Sequence, residues 1–282
     1  MRLIAMVTEH ARSSWRSLLL AAFALFVLGV GNGNAQDASQ HRPAVTVDGK
    51  VALASLIALS DGHLLRLADS LRILAETAAA QSGEWEKIRG PLAQAGQLNV
   101  PAVNWFALPD GSYWTVQEGK AAGNLSTRAY FPALLAGKTA IGDLVVSKAT
   151  GRSIAIVAVP VVRPDKTVIG ILGGSVYLDR LSARLEREMD LDKSMVFYSF
   201  NAQPLVGLDW DPGLIFLDPT KLGQEDLSRA IRDMLTKTQG VASYLFRGKR
   251  RTVLFRRSPV TGWWYVFGTI PEGREAARPD NP

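Results

Sequence analysis

The chain has 282 residues, 47% of them hydrophobic, and it contains no cysteine. This composition supplies a hydrophobic core and excludes disulfide bonds, thiolate zinc sites and cysteine nucleophiles. The formal net charge is +6 at neutral pH, which makes the chain mildly basic.

The first 35 residues have the features of a secretory signal. Arg2, Arg12 and Arg16 form a positive region, residues 18–30 form an apolar run, and residues 33–35 end in small side chains suited to cleavage. The apolar run is shorter than the roughly 20 residues that a transmembrane helix needs. We therefore predict cleavage after residue 35 and a periplasmic or secreted protein. The alternative is a membrane tether formed by an uncleaved N-terminal segment, and no later segment is expected to span a membrane.

Export limits the partners that the charge of the chain can attract. Residues 1–35 carry three arginines and one glutamate, so the remaining chain has a net charge of +4. The acidic partners outside the cytoplasm are lipid headgroups, envelope polymers and small carboxylates, and nucleic acid is not expected. The length that remains allows one large domain or two small modules.

Residues 36–50 are polar and are predicted to form a linker. From Val51 onward, apolar residues recur at three- and four-residue steps, which predicts a helix of about 25–30 residues. The apolar stripe comprises Leu53, Ile57, Leu64, Leu67, Leu71 and Leu74. A helix of this length braces a whole sheet or pairs with a second copy, so a homodimer through the stripe is one expectation.

After Gly90-Pro91 the hydrophobic period changes to two, which predicts strands. A hairpin is expected around the turn at residues 109–111, followed by strands near residues 143–147, 153–162 and 167–177. A charged helix from Leu178 precedes a smaller repeat of the same pattern, which ends in three strands. The predicted fold class is α+β, with a long N-terminal helix bracing two modules with antiparallel sheets. Their expected bounds are 51–180 and 181–270, and residues 271–282 are expected to form a flexible tail.

Several short stretches, in order and spacing, resemble the extracellular double Cache sensor domain. They are Arg128-Ala129-Tyr130-Phe131 followed by Ala136-Gly137-Lys138, residues 147–151 leading to residues 158–161, residues 170–174, and Gly262-Trp263-Trp264-Tyr265. The resemblance covers roughly residues 51–270. It implies two PAS-like modules and a binding fold rather than an enzyme, with a small ligand held in the membrane-distal module between the sheet and the segment that covers it.

The resemblance also implies which residues hold the ligand. Arg128 occupies the position of an arginine that grips the ligand carboxylate, with Tyr130 and Phe131 beside it. A guanidinium suits this role because it presents two parallel N–H donors and stays charged when partly desolvated. The alternative is that Arg128 is a solvated loop residue and the two aromatic residues belong to the core.

Two further positions bear on the class of ligand. Members that sense amino acids place carboxylates at positions that correspond to Ser147 and Ser175, where they hold the ligand ammonium. Serine cannot neutralise a buried cation, so a small carboxylate is favoured over an α-amino acid. Trp114 is expected to line the pocket wall, and Tyr177, on the same strand as Ser175, completes the candidate set. Asp143 and Asp179 are interpreted as turn or cap residues.

The sequence gives little sign of an enzyme. His41 and His63 do not form a metal-ligand pair, and no Gly-x-Ser-x-Gly elbow or Ser-x-x-Lys set occurs. The glycine-rich residues 170–174 lead into a strand rather than a helix, so they lack the context of a nucleotide-binding loop. We predict no catalytic residue, metal site or cofactor.

Basic residues concentrate around one turn near the C-terminus. They are Arg247, Lys249, Arg250, Arg251, Arg256 and Arg257. The favoured interpretation is a solubilising turn with guarded strand edges. The alternative is contact with anionic lipid headgroups or an acidic protein.

These observations together predict an exported sensor protein that binds a small carboxylate or related metabolite in its distal module and acts through a separate membrane partner. The alternative is an envelope protein-interaction or membrane-surface-docking module that binds no ligand.

The signal predicts where the mature protein begins. We expect exported protein to be soluble and to start near Gln36, because the small residues at 33–35 fit signal peptidase. Fractionation followed by N-terminal sequencing checks this, and an intact Met1 start in the membrane fraction would instead support the tether.

Overall fold

The computed structural model describes residues 48–147, 150–270 and 273. The expected signal peptide, most of the linker and the tail apart from Gly273 lie outside the described residues. Gly49 and Lys50, the last two positions predicted as linker, belong to a helix instead. The first helix already begins at Gly49, and the side chain of Asp48 caps it by accepting a hydrogen bond from the Lys50 amide at 2.6 Å.

Helices and two sheets make up the described chain. The helices are α1 (Gly49–Ala75), α2 (Ala78–Gln81), α3 (Trp85–Gln97), α4 (Phe131–Leu135), α5 (Leu178–Glu188) and α6 (Glu225–Leu235). The strands of the first sheet are β1 (Ala102–Ala107), β2 (Ser112–Thr115), β3 (Gly119–Asn124), β4 (Ala140–Val146), β5 (Ser153–Val162) and β6 (Val168–Tyr177). Those of the second are β7 (Met195–Phe200), β8 (Val206–Asp209), β9 (Gln239–Phe246), β10 (Lys249–Arg257) and β11 (Trp264–Thr269).

Both sheets are antiparallel, which confirms the predicted α+β class. The first sheet has the strand order β3-β2-β1-β6-β5-β4, and we call it and the segments that cover it the distal module. The second sheet has the order β8-β7-β11-β10-β9, and it forms the proximal module together with α6. Helix α5 connects β6 to β7, so the chain completes one sheet before it starts the other.

Helix α1 packs against both sheets. Its 27 residues span about 40 Å at 1.5 Å per residue, which is long enough to contact β5 in the distal module and β11 in the proximal module. The leucines of α1 share one buried cluster with Phe106 and Leu172 of the distal sheet and with Phe197 and Phe267 of the proximal sheet. The helix predicted from the three- and four-residue period is thus a brace between the modules.

This packing corrects two expectations about α1. All six residues of its apolar stripe are buried inside the protein, so the stripe is not free to form a homodimer. By length and composition, α1 is also apolar enough to cross a membrane, contrary to the expectation that no segment after the signal has this property. Half of its apolar window is buried within the fold, as in the core helix of a soluble domain.

Helix α3 runs through Gly90 and Pro91, after which the sequence predicts a change to a period of two. The change comes later along the chain, since the first strand begins at Ala102. Trp85, Ile88 and Leu92 form its buried face, at helical spacing. Their burial offsets the loss of the backbone hydrogen bond that proline cannot donate, so the helix continues.

Buried polar contacts fix α1 to the proximal sheet. The Asp61 carboxylate accepts hydrogen bonds from the Ser258 hydroxyl at 2.6 Å and from the Tyr265 hydroxyl at 3.1 Å. The Tyr265 hydroxyl also lies 2.8 Å from the hydroxyl of Ser60. Burial raises the pKa of Asp61, and the hydrogen bonds from Ser258 and Tyr265 oppose that shift. Two residues further along α1, His63 contacts Glu188 of α5 at 2.7 Å, which gives this histidine a structural role.

The two tryptophans before and within β11 lie on opposite faces of the proximal sheet, and both are buried. Trp263 joins the cluster around α1 and donates its indole N–H to the Gly142 carbonyl at 2.9 Å, which links the proximal module to β4. Trp264 stacks on Phe200 with ring centroids 5.9 Å apart, on the face covered by α6.

The Asp61 contacts predict a stability difference between two aspartates of α1. Replacing Asp61 by alanine should lower the free energy of unfolding by about 1–3 kcal/mol, because the buried hydroxyl of Ser258 loses its acceptor and that of Tyr265 loses one partner. Chemical denaturation measures the change.

The matched control is Asp69→Ala, since Asp69 lies on the exposed side of the same helix and pairs only with Arg72. Its effect should stay within about 0.5 kcal/mol. Equal destabilisation by the two substitutions would contradict a specific role for the Asp61 contacts.

Candidate functional site

A small cavity lies on the face of the distal sheet that points away from α1. Its volume is about 30 Å³. It is lined by Val103, Trp105, Tyr113, Thr115, Leu125, Arg128, Tyr130, Val145, Ser147, Ile154, Ile156 and Ser175. Polar groups are therefore set into a largely apolar wall, the usual composition of a small-molecule site.

Glycine in β6 lets an indole ring lie flat against the sheet beside this cavity. Gly173 pairs with Trp105 across β1 and β6, and a Cβ at Gly173 would overlap the indole ring. In this position the Trp105 indole N–H donates to the Ser175 hydroxyl at 3.1 Å. The Ser175 hydroxyl keeps its own proton to donate. The glycines of β6 thus serve the packing of aromatic rings, and Gly170 accommodates Phe106 in the same way.

Arg128 is half-buried at the wall of the cavity, in the segment between β3 and α4. One terminal nitrogen of its guanidinium donates to the Val146 carbonyl at 2.8 Å. Its Nε is buried and has no hydrogen-bond partner among the described residues. Within the same part of the chain, no carboxylate lies within 4.0 Å of the guanidinium. Arg128 therefore brings a positive charge to the cavity that no side chain in the described part of the chain neutralises.

Two tyrosine hydroxyls accompany this charge. Burial raises the pKa of Tyr130 to about 12, and it raises the pKa of Tyr113 as well. The positive charge of Arg128 acts in the opposite direction on both groups. Both phenols are therefore neutral at physiological pH and have a proton to donate. A guanidinium with two neutral hydroxyl donors is suited to an anion.

The structure brings together four of the seven residues that the sequence singled out. Arg128, Tyr130, Ser147 and Ser175 line the cavity; that they bind a ligand stays a prediction. Phe131 is 1% exposed and belongs to the core beside the cavity rather than to its lining.

The other two residues lie outside the lining. Tyr177 ends β6 and stacks under the guanidinium of Arg152, 4.1 Å from its ring centroid. Trp114 was assigned to the wrong face of the sheet. Successive residues of a strand point to opposite faces, so Trp114 packs with Trp85 and Phe106 on the helix side while its neighbour Tyr113 reaches the cavity.

Tyr113 and Trp105 are the site residues that sequence reasoning missed. Their register could have identified them, because Trp105 pairs with Thr115 and Ala107 with Tyr113. All four side chains therefore share one face of the β1–β2 hairpin.

The described lining of this cavity contains no acidic side chain, and the two aspartates that the sequence singled out lie elsewhere. Asp179 forms an ion pair with Arg152 at the start of α5, as expected for a residue near a helix terminus. Asp143 follows a bulge in β4 and lines a cleft of about 450 Å³ between the modules, not the distal cavity. Among the residues that the structure describes, no cluster of three or more histidine, aspartate or glutamate side chains could hold a metal ion.

No family model and no curated protein sequence matches the chain. Solved structures do match it. An extracellular ligand-binding receptor from Desulfohalobium retbaense aligns with 78% of this chain and 40% of its own length, at a TM-score of 0.62 and 12% identity. This chain thus spans two fifths of that receptor.

Two chemoreceptor domains align over nearly their whole length. The ligand-binding domain of Pseudomonas fluorescens CtaA, solved with L-isoleucine, has a TM-score of 0.60 at 17% identity and covers 79% of this chain and 90% of its own. That of the Pseudomonas aeruginosa amino acid chemoreceptor PctC, solved with GABA, has a TM-score of 0.57 at 16% identity and covers 79% and 95%. At such low identity the likeness defines the fold alone. The described chain has the double Cache sensor-domain fold that the sequence resemblance implied.

Proposed function

We propose that this protein is an exported sensor that binds a small carboxylate in the distal cavity, with Arg128 as the anion anchor. One observation carries the proposal, which is the half-buried guanidinium of Arg128 at the cavity wall with only the Val146 carbonyl as a hydrogen-bond partner in the described chain.

The unpaired charge argues for an anionic ligand. An arginine stays protonated at any physiological pH, and burying a charge without a counter-ion costs free energy. A carbonyl oxygen satisfies one donor and supplies no negative charge. A ligand carboxylate would engage two guanidinium N–H groups at once, and the hydroxyls of Tyr113 and Tyr130 would add donors.

The absence of acid from the cavity lining favours a ligand without an ammonium group. CtaA and PctC were solved with L-isoleucine and GABA, and each of these ligands carries both a carboxylate and an amine. The described lining residues of the present cavity include no aspartate or glutamate. Serines 147 and 175 can hydrogen-bond to an ammonium but cannot neutralise it. A monocarboxylate or dicarboxylate therefore fits better than an amino acid.

The cavity must widen before it can hold such a ligand. Its volume of about 30 Å³ admits roughly one water molecule, whereas ligand pockets occupy about 300–1,000 Å³. The Arg128–Val146 hydrogen bond joins the segment before α4 to the edge strand β4, so it holds the two walls together. A ligand carboxylate would replace the Val146 carbonyl as the partner of Arg128. The free energy of opening would reduce the apparent affinity.

The role of Arg128 is tested by substitution. The first step is a thermal-shift screen of small carboxylates, because a ligand that binds the native state raises its melting temperature. For a carboxylate found in this way, Arg128→Ala should weaken binding about 30-fold or more, since truncating one side of a buried charged pair costs about 2–5 kcal/mol. Arg128→Lys should recover only part of the affinity because lysine lacks the planar fork. Calorimetry measures both.

A matched control is Arg163→Ala, which removes an exposed arginine from the turn between β5 and β6 and should leave binding unchanged. Melting curves confirm that each variant is folded. Unchanged affinity in a folded Arg128→Ala would refute the anchor. A screen in which no carboxylate stabilises the wild type would favour the interaction-module alternative.

A further inference from the structure

One of the basic residues near the C-terminal turn, Arg251, is buried inside the proximal module. Arg251 is only 4% exposed, in contrast to its exposed neighbour Arg250 on the same strand. Its Nε is buried without a hydrogen-bond partner among the described residues, and no carboxylate of the described chain lies within 4.0 Å of its guanidinium. The guanidinium lies over the Phe246 ring, 4.5 Å from its centroid.

Arg251 differs in this respect from the nearest arginine of the hairpin. Arg247 forms an ion pair with the buried Asp211 at 3.1 Å. Both guanidinium groups lie over the Phe246 ring. A carboxylate lies within 4.0 Å of the Arg247 guanidinium, and no described carboxylate lies within that distance of the Arg251 guanidinium. Among the described residues, an ion pair within 4.0 Å therefore accounts for the burial of the Arg247 partner Asp211, and no such pair involves Arg251.

Arg251 lines a second cavity, of about 20 Å³, between the proximal sheet and the loop that joins β8 to α6. The hydroxyls of Tyr198 and Tyr244 lie 2.9 Å apart in its wall. Asp209 also lines it, and burial raises the pKa of this carboxyl well above its usual range. Leu214 and Leu227 belong to the apolar remainder of the wall.

We propose that this cavity is a second, independent binding site, which takes a short monocarboxylate on the guanidinium of Arg251. One of the two tyrosine hydroxyls donates to the other, so the remaining proton can be donated to the same anion, and the leucines can cover a short alkyl chain. The site is distinct from the distal cavity and does not depend on the function proposed for Arg128.

The chemistry of the wall selects this class of ligand. A permanent cation beside two tyrosine hydroxyls suits an anion and disfavours an ammonium group. A single buried water could bridge these groups in a cavity of this size, but it would leave the charge of Arg251 uncompensated. A carboxylate satisfies both the donors and the charge. The loop from β8 to α6 has to move before the cavity can admit a carboxylate.

The experiment uses the full chain carrying Arg128→Ala, so that the distal site cannot contribute. Sodium propionate is the probe, propionamide is the neutral control of the same shape, and binding is followed by calorimetry and melting temperature. Propionate at up to about 20 mM should bind and raise the melting temperature, whereas propionamide should not. Adding Arg251→Met should weaken propionate binding about 30-fold or more, and adding the exposed neighbour Arg250→Met should leave it unchanged.

A second readout separates a binding arginine from a structural one. Without propionate, Arg251→Met should melt at the same temperature as its parent or higher, because a buried charge without a counter-ion is replaced by an apolar side chain of similar length. Should this variant fail to fold, Tyr244→Phe keeps the volume of the wall and should weaken propionate binding about fivefold. No propionate binding in the Arg128→Ala protein, or binding that neither substitution weakens, would overturn the proposal.

Discussion

The burial of one helix against two sheets is the constraint on which the remaining structure depends. Each sheet needs a cover for one face, and α1 supplies it for both, so the hydrophobic core runs without interruption from the distal to the proximal module. The polar contacts of Asp61 and His63 fix the helix along and around its axis. The faces that α1 does not cover are closed by short segments and by α6, and the two cavities lie on those faces.

The position of both cavities follows from that arrangement, and their side-chain chemistry is similar. In each module an arginine lies in a cavity wall with a pair of tyrosines and without a carboxylate within ion-pair distance in the described chain. The two arginines come from different elements, since Arg128 precedes a short helix and Arg251 lies within a strand. The likeness is therefore one of side-chain chemistry, not of a repeated motif.

The sequence predicted the parts of the fold that depend on hydrophobic period, and it failed where local signals misrepresent tertiary packing. The spacing of its leucines defined α1. The predicted change to a period of two came too early, at Gly90 and Pro91, because both residues disfavour a helix interior and the buried face of α3 outweighs that preference. Trp114 was misplaced because the phase of a strand depends on its partner register. The burial of Arg251 was missed because the basic residues around it were interpreted as exposed. Val253 and Phe255 follow at two-residue steps, which indicates that Arg251 lies on the same buried face of the strand.

The hydrogen bond from Trp263 to the Gly142 carbonyl has a mechanical consequence. It attaches the proximal sheet to β4, the same edge strand whose Val146 carbonyl holds Arg128. Gly142 lies at the bulge of β4 with a φ of 90°, and Thr261 lies close to it. Gly142 and Val146 are four residues apart on this strand, so one edge strand carries both the attachment to the proximal sheet and the contact that holds Arg128. A displacement of this strand would therefore alter both contacts.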